Sequence, residues 1–373
     1  MRYAAIVLTA LLSSSAAAQT AGPVETLTFA GNTWRVAAQE ARVETYRGRE
    51  TLVLRGGRVW RDDVDFTDSV IEFDAAYDEV QGFIGPAWRA SSDRQFEEIY
   101  FRSHLNNMPD AVQYTPVENG NSAWQIFSDG NAIASLSQTF TDWNRAKLVV
   151  KGDKADFYFN SDAPVLHVPD LKADLNAGYA GLRVSGAATV RFSNVSFRPL
   201  NAGEDIIGEA KEAKPLPEGL ITEWSVSSVF PEAEVADALE LPAKAGEALE
   251  WSSLDVETNG IANISKLHTR LPDGDSTVFV RLPIRSERRQ MKELRFGYSD
   301  RVRIYLNGKR VYFGEADWTA RDYRFLGTVG FFDSVGLDLK KGDNEVIFAV
   351  SETFGGWAIA GAIEDQSQIS IEN

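Results

Sequence analysis

The chain has 373 residues, a formal net charge of −16 and no cysteine. Its length suits two domains, and its acidity argues against nucleic acid and anionic membrane surfaces as partners. Without cysteine there is no thiol catalysis, no thiolate zinc site and no disulfide, so stability must come from core size.

The first residues read as a secretory leader over 1–18. Arg2 supplies the positive start, Ala4 to Leu12 a short apolar run, and Ala16-Ala17-Ala18 before Gln19 the small-residue cleavage pattern. The run falls short of the ~20 residues that span a bilayer. The expectation is an exported protein, periplasmic or extracellular, with no transmembrane segment. The oligomeric state stays open.

Beyond the leader, aromatic and β-branched residues recur between closely spaced turn signals, which predicts an all-β protein of sandwich or barrel type. Thr51 to Leu54 reads as a strand ending at Gly56-Gly57, and Ser69 to Asp74 alternates with Ile71 and Phe73 on one face. Trp143 to Lys151 and Ala155 to Asn160 flank Gly152-Asp153-Lys154 as a hairpin. Gly178 to Val184 and Ala188 to Arg198 read as two strands with a turn at Ser185-Gly186. Residues 201–219 turn acidic and proline-bearing (Glu204, Asp205, Pro215, Pro217), as a linker would. A second β pattern covers 220–373. Its clearest cue is Asn307-Gly308, where both positions of a tight hairpin need positive φ. Val302, Ile304 and Leu306 should face the core there, and Arg301, Arg303 and Tyr305 should face out. Two jelly-roll sandwiches in tandem, over 24–200 and 220–373, are the predicted architecture.

The richest stretch runs from Glu97 through Ser103-His104 and Pro109-Asp110 to Gln113-Tyr114, Asn119-Gly120 and Trp124-Gln125. Rings can cover the apolar face of a sugar, while Arg, Gln, Asn and carboxylates satisfy its hydroxyls. Alternation puts Glu98, Tyr100, Arg102 and His104 on a presented face, with Ile99 and Phe101 on the core face and Glu97 at a rim. The long loop that follows is rich in turn formers, and long ordered loops tend to carry function. Tyr100, Arg102, His104, Gln113, Tyr114, Asn119, Trp124 and Gln125 are the candidate ligand-binding residues. Tyr114 and Trp124 could equally anchor the loop, and a Glu98–Arg102 ion pair could simply brace it.

Residues 25–200 resemble secreted bacterial domains with a concanavalin A-like (laminin-G-like) jelly roll of the 3-keto-disaccharide hydrolase-like type. The likeness rests on Phe66 to Asp74, Gly82-Phe83-Ile84-Gly85, the stretch above, Trp143 and Phe192 to Phe197. Residues 220–373 resemble the galactose-binding-like sandwiches, through the Asn307-Gly308 hairpin and Leu337 to Val346. The first resemblance implies a jelly roll with an open concave sheet. That fold hosts lectins, hydrolases and scaffolds alike.

For hydrolysis, Glu98 with Asp110 or Asp93 across the loop is the candidate carboxylate pair, since glycosidases use two. The single-strand Glu-x-Asp pattern of laminarinase-type jelly rolls begins at Glu72-Phe73-Asp74 but meets Ala76 and Tyr77 where its last glutamate would stand. There is no Gly-x-Ser-x-Gly elbow and no His-x-x-x-His, so no cofactor or catalytic metal is implied. Structural calcium could sit on Asp62, Asp63 and Asp65. His167, in an apolar run, reads as ordinary packing. In the second domain Trp318, Tyr323, Arg324, Glu352, Phe354 and Trp357 form a further aromatic and charged set. The sequence favours an exported binder of carbohydrate or a glycan-derived compound. A glycoside or 3-keto-glycoside hydrolase using Glu98, and a non-catalytic envelope scaffold, are the rivals.

Overall fold

The computed structural model describes residues 25–243, 249–317 and 328–371. The leader over 1–18 lies outside them, as do Trp318, Tyr323 and Arg324. Strands dominate. The first domain carries β1 Glu25–Phe29, β2 Asn32–Tyr46, β3 Arg49–Arg61, β4 Ser69–Ala76, β5 Gly82–Ser92, β6 Gln95–Arg102, β7 Val112–Glu118, β8 Asn121–Ser122, β9 Ile133–Ala134, β10 Asn144–Lys151, β11 Lys154–Phe159, β12 Leu166–Val168 and β13 Tyr179–Pro199. Among the described residues no helix is long and apolar enough to cross a membrane.

β13 is the spine. Its first half pairs with β5 and the end of β3, and its second half with β4 and the start of β3. One layer therefore continues through β6 and β7, and the other through β4, β10, β11 and β12. Strands that serve both layers must bend, and bends of this kind are made at bulges and glycines. The β3–β13 register shifts between Val184 and Thr189, opposite Gly56-Gly57. Gly57 has φ 153°, and a Cβ there would lie 2.3 Å from the Ala37 carbonyl oxygen and the Ala38 Cα. Thus Gly56-Gly57 bends a strand rather than ending it. Likewise Ser185-Gly186 is a kink inside one 21-residue strand rather than a turn between two. The Gly152 hairpin forms as the sequence predicts.

Between the layers Ile71, Phe73, Ile99, Phe101, Leu148, Phe157, Leu182 and Phe192 are fully buried. Glu97 shares that face, but it is fully buried rather than at a rim.

The second domain holds β14 Glu223–Ser227, β15 Phe230–Pro231, β16 Trp251–Asp255, β17 Ala262–Asn263, β18 Ser276–Ser286, β19 Gln290–Ser299, β20 Arg301–Leu306, β21 Lys309–Glu315, β22 Asp333–Leu339, β23 Gly342–Glu352, β24 Ala358–Ala362 and β25 Ile369–Ile371. One layer runs β16-β14-β18-β23-β20-β21 and the other β17-β24-β19-β22. Asn307 and Gly308 both take positive φ in the β20–β21 hairpin. Val302, Ile304 and Leu306 enter the core as expected. Arg301, Arg303 and Tyr305 are buried as well, because the segment 230–241 crosses their face. Both guanidiniums close on Glu232, at 2.6 Å from Arg301 and 2.8 Å from Arg303.

Residues 201–219 contain no strand but lie against the first sandwich. Asp156 accepts from the Ile207 and Gly208 amides, and its other oxygen meets His167 Nδ1 at 2.7 Å. The apolar cluster of the first domain takes in Ile261, Val329, Ala358 and Ala360 of the second, so the two cores meet.

Candidate functional site

Antiparallel register sets one transverse row across the outer face of the β3-β13-β5-β6-β7 layer. Arg58 stands opposite Arg183, Arg183 opposite Gly85, and Tyr100 opposite Gln113. The flanking row brings Trp60, Gly181, Ala87, Glu98 and Thr115 to the same face. Sequence alternation placed Glu98, Tyr100 and Arg102 on this side, opposite Ile99 and Phe101, and the core arrangement agrees. Their burial was not foreseen: Glu98 is 1%, Tyr100 4% and Arg102 6% exposed.

Each is fixed by neighbours. Arg183 Nη1 donates to both Glu98 oxygens at 2.7 Å, and the Ser122 hydroxyl adds a third bond at 3.3 Å. Glu98 thus pairs with Arg183, and not with Arg102 as the bracing alternative would have it. Arg102 instead donates to the Gln113 side-chain oxygen and the Asp110 carbonyl, with the Asp110 carboxylate 3.6 Å away. Gln113 also accepts from the Tyr100 hydroxyl at 3.1 Å and donates to the carbonyls of Trp124 and Phe127. Its amide uses donors and acceptor together, which makes it the hub between β6, β7 and the following loop. Phe83 stands edge-on to both Tyr100 and His104, each 5.6 Å between centroids. His104 is half-buried, and burial together with the neighbouring Arg102 charge lowers its pKa.

The remaining candidates point elsewhere. Tyr114 lies on the core face and donates to Glu97 at 2.7 Å. Burial raises Glu97 to about 7 despite the bonds from Tyr114 and the Ala173 amide. Asn119 donates to the Ser265 and Lys266 carbonyls. Trp124 packs near Phe354, and the Gln125 oxygen accepts from the Gly356 amide at 2.7 Å. Those three residues knit the loop to the second sandwich.

Sequence reasoning missed Arg58 and Arg183. They lie 125 positions apart in numbering and meet only through strand pairing. Arg58 is half-buried with its guanidinium carbon 4.7 Å from the Phe96 ring centre, and its Nε has no hydrogen-bond partner. Burial and the adjacent Arg183 charge lower it to about 10.

In the acidic loop, Asp62 pairs with Arg35 at 2.8 Å and Asp63 with Arg61 at 2.6 Å. Among the described residues no group of three His, Cys, Asp or Glu side chains is placed to hold a metal ion.

Scanned against protein-family models and against curated proteins, the sequence matches none. Solved structures do give matches. A carbohydrate-binding module, CBM66 from Bacillus subtilis, aligns at 16% identity and TM-score 0.35, over 44% of this chain and 94% of that one. A Bacillus subtilis protein of unknown function with a galectin-like fold aligns at 13% identity and TM-score 0.35, over 44% and 88%. The β-glucanase of Bacillus licheniformis aligns at 10% identity and TM-score 0.34, over 45% and 92%.

Proposed function

We propose that this is an exported binding protein for carbohydrate or a glycan-derived small molecule. Its site is the outer face of the first sandwich, between Arg58, Arg183, Phe83 and His104. The observation that carries this reading is the grouping of two partly exposed guanidiniums, Arg58 and Arg183, on one face with the half-buried Phe83 and His104. The polar groups around it are already locked by Glu98, Gln113 and Asp110. A ligand would therefore find donors held in place and lose little side-chain entropy there. Phe83, half-buried at the surface, can cover a pyranose C–H face while guanidinium donors take its oxygens.

Hydrolysis through Glu98 has less support. It requires a second carboxylate on the same glycosidic bond, whereas Asp110 is committed to Arg102. The test is a glycan array followed by calorimetric titration of wild type and Arg58→Leu, with product analysis alongside. Arg58→Leu should weaken binding by about tenfold or more, the worth of one charge-assisted hydrogen bond, without altering the melting temperature. No binding by wild type, or equal binding by the variant, removes the assignment. Turnover abolished by Glu98→Gln would restore the hydrolase.

A further inference from the structure

Behind β7, where the two sandwiches meet, lies a cleft of about 340 Å³. Its walls come from three sources. The first sandwich gives Tyr114, Phe127, Asp129 and Lys172; residues 213–217 cross one side; the second sandwich gives Thr258, Asn259, Phe331 and Phe332. The volume falls within the range of small-ligand sites, which favour domain junctions.

Specific bonds fix the walls relative to one another around this space. Asn259 Nδ2 donates to the Ile126 carbonyl at 2.9 Å, and the Val329 amide donates to the Gln125 carbonyl at 3.0 Å. Lys172 Nζ pairs with Asp170 and reaches Thr258 Oγ1 at 3.1 Å. Asn131 exchanges two bonds with the backbone of Lys211 at 3.0 and 2.7 Å, pinning the crossing segment. At the rim, Leu216 and Phe332 remain 47% and 46% exposed. Large apolar side chains at the mouth of a mixed polar cavity are what a sugar ring requires from its surroundings.

We infer that this inter-domain cleft is a second ligand site, separate from the outer face, that takes a small neutral saccharide. Phe331 and Phe332 supply stacking surfaces, and what the bonds within the walls leave over, the second Asp129 oxygen, the third Lys172 proton and the Thr258 hydroxyl proton, meets the sugar hydroxyls. The charge balance selects the neutral class. Lys172 is already neutralised by Asp170, and Lys214 balances Asp129, so the lining carries no net charge to draw in a uronate or sulfated sugar. This assigns the second sandwich a role: it supplies half of a binding site.

The test uses the full chain, titrated with glucose, galactose, mannose, cellobiose, maltose and lactose. Wild type, Phe332→Ala, Ser128→Trp and Arg58→Leu are compared, with melting temperatures to confirm folding. At least one sugar should bind one-to-one to wild type and to Arg58→Leu. It should bind about tenfold more weakly to Phe332→Ala, the scale of one lost stacking contact, and not at all to Ser128→Trp, which fills the cleft. No saturable binding of any of the six sugars overturns the inference. So does binding that survives both cleft substitutions. If Arg58→Leu abolishes that binding, the outer face gains and the cleft loses.

Discussion

Glu118 shows how one side chain sets a pH window for the molecule. It is 3% exposed and accepts from Asn263 Nδ2 of the second sandwich at 2.6 Å. Burial raises its pKa to about 8, even with Lys266 nearby. The folded protein therefore holds this proton where the unfolded chain, near 4.5, has released it. Below pH 4.5 both states are protonated and nothing is lost. As pH rises from 4.5 towards 8 only the unfolded chain gives up its proton, so stability falls across that interval. Glu118→Gln keeps an acceptor for Asn263 and cannot ionise. It should raise the melting temperature at pH 8 by several degrees, corresponding to about 1–3 kcal/mol, and change it little at pH 4. A shift of equal size at both values would count against this account. Glu97, raised to about 7 by burial, acts in the same direction. Neither residue announces this in the sequence, where Glu118 is one acidic residue before an Asn-Gly turn.

At the scale of elements, the bent strands of the first sandwich depend on glycine where β3 bends beside β2. Gly57→Ala would force a Cβ against the backbone of Ala37 and Ala38 at positive φ. A cost of about 3 kcal/mol is expected in urea unfolding, combining backbone strain with overpacking. Gly31→Ala, also at positive φ (73°) but with nothing within 4 Å, should cost only about 1 kcal/mol. Comparable losses would show that crowding at the bend is unimportant. The same glycines mark the limit of what sequence could tell. The turns at Gly152 and Asn307-Gly308 were legible because tight hairpins demand positive φ at those positions. Gly56-Gly57 and Ser185-Gly186 carry the same signal, yet they bend continuous strands, since glycine permits both outcomes. Alternation correctly separated Tyr100 from Phe101. It could not reveal that Tyr100 is enclosed, because its cover comes from Phe83, Arg102, Gln113 and Arg183, side chains of four strands. The guanidinium pair of Arg58 and Arg183 had no local signature at all.

As a whole molecule, the chain is two sandwiches whose cores touch. Asn263–Glu118, Gln125–Gly356 and Arg270–Asn121 bonds cross the junction, with Ile261, Val329, Ala358 and Ala360 in shared apolar contact. Breaking that junction would expose its apolar contacts to water and exchange its internal hydrogen bonds for bonds to water, a net loss of about 0.5–1.5 kcal/mol for each bond. The two halves should therefore unfold in one calorimetric transition, with van't Hoff and calorimetric enthalpies equal. Two resolved transitions would mean that the junction contributes little. β13 carries a different consequence, one of timing. On the side away from β2, residues 52–61 find their neighbours among residues 180–192, so more than a hundred residues must be synthesised before the third strand can be paired on that side. Long separations of this kind slow folding. A chain emerging from the ribosome therefore keeps its first domain open until Tyr179 to Pro199 has appeared, and only then closes both layers on a strand that belongs to each.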